Sequence, residues 1–242
     1  MVFVHGGMCE RTFWRAQVDH FGERHRTVAL DLAGHGASGQ DRSLWSMKAF
    51  AEDVEAVILH LDLRDVVLIG HGMGAPVIIE AGCMMPERLA GLVGVDLFDL
   101  DQDPMSPEQL EQYLASLRAD FTGTMRQTAD MMVAPGAAPL LRQRIIATMS
   151  SGSPEVGVGA MEALFAHDLR PAMERLDVPL TLINSSDFET TNMDAARRHG
   201  VDVQCIENAG HFSMMERPDP FNRILDDLLS RWINHPTRQE RT

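Results

Sequence analysis

The decisive stretch of the chain reads Val66-Val67-Leu68-Ile69-Gly70-His71-Gly72-Met73-Gly74-Ala75-Pro76. Its first four residues are apolar and three of them are β-branched, a pattern typical of a strand buried on both faces. Glycine then stands at every second position, and residues 75–81 are typical of a helix with proline in its first turn. A turn of this kind also suits phosphate binding through amides at a helix N-terminus, so the stretch alone leaves two interpretations open.

Length and composition limit the classes of protein that this chain can be. Its 242 residues, 45% of them hydrophobic and 23% charged, suit one α/β domain with an inserted segment, or at most two small domains. The net charge of −14 argues against nucleic acid and anionic membranes as partners. The three cysteines lie too far apart for a disulfide framework or a metal site, and neither a signal peptide nor a membrane-spanning run is visible. We therefore expect a cytoplasmic protein that binds a small molecule, with no cofactor and no metal.

The order of strands and helices predicts the fold class. Apolar runs predict strands at residues 2–4, 27–30, 66–69, 92–95, 178–184 and 201–206. Apolar residues at helical spacing predict helices at residues 11–25, 46–61, 75–85, 192–199 and 219–233. This alternation favours a doubly wound, mostly parallel α/β sheet with helices on both faces.

The alternation stops near residue 100 and resumes near residue 170. The intervening sequence reads as helices only, and its first helix opens on a capping box with proline at the first helical position, Ser106-Pro107-Glu108-Gln109. We therefore predict a core domain of residues 1–100 and 170–242, interrupted by a helical insertion of residues 101–169. The methionines of the insertion are expected in its core, or alternatively around a flexible apolar pocket.

Three polar motifs follow strands of the predicted sheet. His5-Gly6-Gly7-Met8 follows the first strand, Asp187 follows the strand at 178–184, and His211 follows the last strand. Open α/β sheets place their sites at the carboxyl edge of the strands, so these groups are expected to meet there. An acyl-transfer site needs such a set: amides for the oxyanion, a base, and an acid that orients the base. Taken singly, His211 also fits a core histidine and Asp187 a turn aspartate.

Together these motifs resemble the α/β-hydrolase superfamily, in particular its esterase-like members with a helical cap. The matching segments, in the family's order, are 4–7, 31–38, 70–74, Asp187 and 208–212. The resemblance implies that His211 is the base and Asp187 its orienting acid, with Asp96, after the strand at 92–95, as the substitute. It further implies an oxyanion hole made by the amide of Gly7 (or Met8) and that of Met73, and a lid formed by residues 101–169.

The chain departs from that family at the nucleophile. The family's G-x-S-x-G elbow reads Gly70-His71-Gly72-Met73-Gly74 here, so glycine stands where the catalytic serine is expected. The chain also begins at the strand before the oxyanion turn, so the family's first two strands are not seen and an upstream start stays open. A less covered sheet edge is compatible with a monomer or a homodimer.

Three hypotheses for the function remain open at this point. The first is a serine esterase for a small, largely apolar ester or acyl substrate, disabled at Gly72. The second is an enzyme without a covalent nucleophile, in which His211 deprotonates water or an acidic C–H group of the substrate. The third is a catalytically inactive, ligand-binding protein of this fold.

Overall fold

The centre of the fold is a six-stranded parallel sheet. A computed structural model describes residues 1–97, 99–187 and 191–233 of the chain. The strands are β1 (Val2–Val4), β2 (Val28–Leu30), β3 (Val66–His71), β4 (Leu89–Val95), β5 (Leu180–Ser185) and β6 (Asp202–Ile206). They lie in the order β2-β1-β3-β4-β5-β6, and every neighbouring pair is parallel. The predicted parallel sheet is therefore confirmed.

Eleven α-helices occur in the described part of the chain. They are α1 (Arg15–Phe21), α2 (Met47–His60), α3 (Gly74–Met84), α4 (Pro107–Ala119), α5 (Phe121–Met132), α6 (Pro139–Ser150), α7 (Pro154–Phe165), α8 (Arg170–Arg175), α9 (Met193–Arg198), α10 (Ser213–Glu216) and α11 (Pro218–Ile233). Two short 3-10 helices span Arg11–Trp14 and Pro86–Arg88.

Neighbouring residues of β4 show that helices cover both faces of the sheet. Gly91 lies against the ring of Trp232 in α11, whereas the side chain of Leu92 lies against Gly82 in α3. Because consecutive residues of a strand point to opposite faces, α3 and α11 lie on opposite sides. The doubly wound arrangement is confirmed by this packing.

The insertion between β4 and β5 is helical, as its sequence predicts. The hydroxyl of Ser106 accepts a hydrogen bond from the amide of Gln109, and the Gln109 side chain accepts one from the amide of Ser106. This capping box fixes the start of α4. Helices α4 to α7 then pack on one another. The division of the chain into a core domain and a cap stays a prediction.

Several boundaries differ from those predicted. Strand β4 begins at Leu89, three residues before the predicted start at Leu92, because Gly91 interrupts the apolar run by which a strand is recognised. The helix expected over residues 11–25 is a 3-10 turn followed by the shorter α1. Helices α8 and α10 were not predicted, since helices of six and four residues show no clear periodicity. Among the described helices none is both long and apolar enough to cross a bilayer.

Candidate active site

The turn between β3 and α3 has the backbone of a nucleophile elbow. Gly72, at its tip, has φ +50°, in the left-handed region that side-chain-bearing residues adopt only with strain. Its amide donates to the carbonyl of Val95 at 2.9 Å. A Cβ atom at Gly74 would lie 2.7 Å from the carbonyl oxygens of both Val4 and His5, so only glycine allows the helix to begin this close to β1.

The imidazole of His211 faces the tip of this turn. A Cβ atom built on Gly72 would lie 3.0 Å from Nε2 of His211. The main chain of His211 is fixed on two sides: its amide donates to the carbonyl of Met132 at 2.8 Å, and its carbonyl lies 2.8 Å from Nε2 of His71. The predicted pairing of position 72 with His211 is thus present in the geometry, without the serine hydroxyl.

The carboxylate beside the two histidines belongs to Asp96. Single ligand atoms of His71, Asp96 and His211 all lie within 4.8 Å of one another. Asp96 directly follows β4, is 4% exposed, and has φ +52°. Its Oδ1 accepts from the amide of Ser185 at 2.7 Å, and its Oδ2 accepts from the hydroxyl of Ser213 at 3.4 Å. These contacts turn the side chain inward, beneath the loop that carries His211.

The acid expected from the family resemblance lies elsewhere. Asp187 is exposed, and its Oδ1 accepts a hydrogen bond from the neighbouring Ser186 hydroxyl at 2.7 Å. The structure therefore brings Asp96, the substitute, and not Asp187, up to His211. The identity of the acid stays a prediction, and the geometry favours Asp96 for this role.

Burial keeps this cluster of His71, Asp96 and His211 uncharged near neutral pH. Burial lowers the pKa of His71 to about 4, and desolvation together with the neighbouring His71 holds the pKa of His211 well below its usual value. Burial also raises the pKa of the Asp96 carboxyl to about 8. Neutral His211 is in the protonation state that accepts a proton.

The His5-Gly6-Gly7-Met8 turn supplies the oxyanion candidates. Nε2 of His5 accepts from the amide of Leu32 at 3.0 Å, so its Nδ1 carries the proton and donates to the carbonyl of Gly6 at 2.8 Å. Gly7 and Met73 both line the cavity above Gly72, while the side chain of Met8 turns away. Gly7 thus lines the cavity and Met8 does not, while the choice between their two amides as oxyanion donor stays a prediction.

The side chain of Met8 instead reaches the helical insertion. Its methyl group lies against Gly152, and its sulfur lies near Gly157 of α7. Met8 is 3% exposed and has φ +56°. The turn therefore places Gly7 at the cavity and the side chain of Met8 against the insertion.

A cavity of about 570 Å³ lies over the elbow. Helices of the insertion form much of its wall, and its volume suits a small organic ligand. Six methionines line it: Met73, Met105, Met125, Met132, Met149 and Met161. The methyl group of Met161 reaches Gly7. Polar side chains at its wall include Asp99, Asp103, His167 and Asn192. Of the insertion's methionines that the sequence singled out, Met105, Met125 and Met132 line this cavity, whereas Met131 is exposed.

The cluster also has the residue types of a metal site, and the absence of a metal stays a prediction. Both oxygens of Asp96 already accept hydrogen bonds, and Nε2 of His71 donates to the carbonyl of His211. These bonds leave Nδ1 of His71 without a hydrogen-bond partner among the described residues, and hydrogen bonds of this kind also surround metal ligands, so they do not exclude a metal ion.

Two residues of the site were missed in the sequence. Ser213 contacts Asp96, and Glu216 accepts from the amide of Gly210, next to His211. Both follow His211 within five residues, on a helix too short to be recognised. Their only signal is this nearness to the candidate base.

Comparisons with known proteins agree with this fold. A family model described as "Alpha/beta hydrolase family" matches residues 1–224. Karrikin insensitive 2 receptor CA of Petunia hybrida is 22% identical, with 97% of this chain and 92% of the relative covered. The 3-oxoadipate enol-lactonase 2 of Acinetobacter baylyi is 24% identical, with 91% and 85% covered. The solved structure of a thermophilic esterase from Thermogutta terrifontis (malate bound) has a TM-score of 0.82 at 23% identity, covering 95% of this chain and 89% of that one.

Proposed function

Because the chain belongs to the alpha/beta hydrolase family, we propose that it binds a small, largely apolar ester or acyl compound and hydrolyses it without an acyl-enzyme. The observation that carries the proposal is the relation of Gly72 to His211. The base faces position 72 at the distance described above, and glycine offers no hydroxyl there. His211 therefore acts on water instead of on a serine.

The reaction follows from the groups at the cavity wall. A water molecule attacks the acyl carbonyl while Nε2 of His211 takes its proton, so that a C–O bond forms and the carbonyl becomes an oxyanion. The amides of Gly7 and Met73 donate to that oxyanion. Its collapse breaks the bond to the alcohol, which leaves with the proton from His211. The products are a carboxylic acid and an alcohol, and the enzyme returns to its starting state.

Asp96 supports the positive charge that develops on His211. A carboxyl group with a pKa of about 8 is mostly protonated at pH 7 and ionises as the pH rises through about 8. While His211 carries the proton, its positive charge favours the ionised form of the nearby Asp96 carboxyl, and an ionised Asp96 in turn stabilises the imidazolium. The same arrangement would serve a proton abstraction from an acidic C–H group.

The second candidate function is ligand binding without chemistry. The missing hydroxyl at Gly72 favours it, because a binding protein needs the methionine-lined cavity and not the nucleophile. One relative, from Petunia hybrida, is named a receptor. The hydrogen-bonded cluster around His211 favours chemistry, since a pocket that only binds an apolar ligand gains nothing from a buried carboxyl group.

One experiment separates the two functions. Hydrolysis of p-nitrophenyl acetate and butyrate is measured over many turnovers for the native chain and for His211→Ala, with a titration of non-hydrolysable ketone analogues in parallel. We expect turnover in the native chain that falls at least about tenfold in His211→Ala, with ketone binding retained. Equal hydrolysis by both proteins, with ketone binding in both, would establish that the chain binds its ligand without chemistry.

A further inference from the structure

The loop that carries the candidate base is joined to the helical insertion by hydrogen bonds. The amide of His211 donates to the carbonyl of Met132, at the end of α5. Next to it, Oε2 of Glu216 accepts from the amide of Gly210 at 3.0 Å and from the amide of Ala134 at 3.2 Å. One carboxylate oxygen thus holds a residue beside the base and a residue of the insertion at the same time.

The two loops are in direct backbone contact at this point. A Cβ atom at Gly210 would lie 2.5 Å from the carbonyl oxygen of Met132, and closer still to the amide of Ala134. No side chain fits between the loops, so the absence of one at Gly210 is what lets Glu216 reach both amides.

The far side of the insertion loop is held by Arg142 of α6. Its guanidinium donates to the carbonyls of Val133 and Ala134 at 3.3 and 2.9 Å, and it is paired with Asp130. The segment 130–134 therefore lies between a cation on the insertion and the carboxylate of Glu216 on the core. Two hydrogen bonds of one oxygen join this segment to Gly210.

Burial makes these bonds costly to lose. Glu216 is partly buried. Burial raises the pKa of the carboxyl, against the opposing effect of the amides that donate to it. Without those donors, two amides and a carboxylate would be left unsatisfied inside the protein.

We propose that Glu216 is a positioning residue, which couples the helical insertion to His211 so that the base is held in place only while the segment 130–134 is docked. The inference rests on the proposed function in one respect, that His211 is the base. Its structural part, the coupling of Gly210 to Ala134, is independent of any reaction.

The test compares Glu216→Ala with the matched variant Glu216→Gln. The amide oxygen of glutamine can accept from both backbone N–H groups, whereas alanine cannot. Hydrogen exchange of the Gly210 and Ala134 amides is followed by NMR at fixed pH, together with kcat and KM for p-nitrophenyl butyrate. We expect both amides to exchange at least about tenfold faster in Glu216→Ala, and within about threefold of native in Glu216→Gln. The value of kcat should fall in Glu216→Ala and recover in Glu216→Gln.

The outcomes that overturn the coupling are equally definite. Unchanged exchange of both amides in Glu216→Ala, or faster exchange of Ala134 with Gly210 unaffected, would show that the carboxylate does not bridge the loops. If no protein hydrolyses the ester, the proposed function fails and the exchange rates still decide the coupling. If Glu216→Ala does not fold, Gly210→Ala replaces it, because its methyl group parts the same two loops. Native exchange at Ala134 in that variant would also refute the coupling.

Discussion

A Cβ atom built on Gly72 would lie 3.0 Å from Nε2 of His211. This is tighter than ordinary van der Waals contact, so the imidazole already occupies part of the space that a nucleophile would use. The turn and the imidazole of His211 thus surround a residue that has no reactive side chain. The relation leads directly to a prediction about Gly72→Ser.

Gly72→Ser should create a serine hydrolase at some cost in stability. The hydroxyl would stand beside His211 after a shift of the imidazole by a few tenths of an ångström. Hydrolysis of p-nitrophenyl acetate should rise by at least about 10²-fold, because hydroxyl, base and oxyanion hole act as a unit. The left-handed backbone at this residue should lower the free energy of unfolding by about 1–3 kcal/mol.

Two controls accompany this substitution. Gly72→Ala adds the Cβ atom without the hydroxyl, so it should show the loss of stability and no gain in rate. Adding His211→Ala to Gly72→Ser should abolish the gain. A folded Gly72→Ser protein with no added esterase activity would mean that the pocket has diverged beyond the nucleophile.

Asp96 should matter for hydrolysis and Asp187 should not. Asp96→Asn keeps the size and shape of the side chain, but it removes the ionisable group next to His211. We expect kcat/KM to fall at least about tenfold. Asp187→Asn, at an exposed position, is the matched control, and its kcat/KM should remain close to that of the native chain. The reverse result would return the role of the acid to Asp187.

Asp96 should also make stability depend on pH. In the folded protein its pKa is about 8, whereas in an unfolded chain an aspartate has a pKa of about 3.9. Between these values the folded state binds more protons, so the contribution of Asp96 to the free energy of unfolding declines as pH rises. Asp96→Asn lacks this decline.

The measurement is chemical denaturation of both proteins between pH 5 and pH 8. The stability of Asp96→Asn relative to the native chain should increase with pH, by up to about 1.4 kcal/mol per pH unit. If the free energies of unfolding of the two proteins change with pH in parallel, the Asp96 carboxyl titrates normally. Asp187→Asn should run parallel to the native chain.

The sequence alone predicted the main strands and helices because the signals for them are local. The buried strand at 66–69, the glycines that follow it and the capping box at Ser106 each depend on a few neighbouring residues. The order of motifs then placed His211 opposite Gly72. Tertiary packing was needed to close the helices of the insertion over that pair.

The acid could not be chosen from the sequence. Asp96 and Asp187 both follow strands of the sheet, on adjacent strands β4 and β5, so chain order treats them alike. What separates them is the direction of the side chain. The amide of Ser185 draws Asp96 inward, and the hydroxyl of Ser186 holds Asp187 at the surface. Neither contact follows from spacing or composition.

Met161 should limit the size of the acyl group. Its methyl group lies against Gly7, one of the two oxyanion candidates, and it is 6% exposed. Met161→Ala should strengthen the binding of longer methyl ketones by about fourfold for each methylene that enters the new space. Calorimetric titration with an alkyl series measures this. Met131→Ala, at a position 67% exposed, should leave the series unchanged. If Met161→Ala and the native chain bind every ketone of the series with the same affinity, the acyl group lies elsewhere in the cavity.

The most direct measurement treats the native chain with excess fluorophosphonate and then records both the intact mass and the His211-dependent rate of p-nitrophenyl butyrate hydrolysis. That rate is the difference between the native chain and His211→Ala, each treated alike. Since Gly72 offers no hydroxyl to the base, we predict no adduct and an unchanged rate, while Gly72→Ser is labelled and inactivated. A labelled serine in the native chain, with loss of the His211-dependent rate, would contradict hydrolysis without an acyl-enzyme.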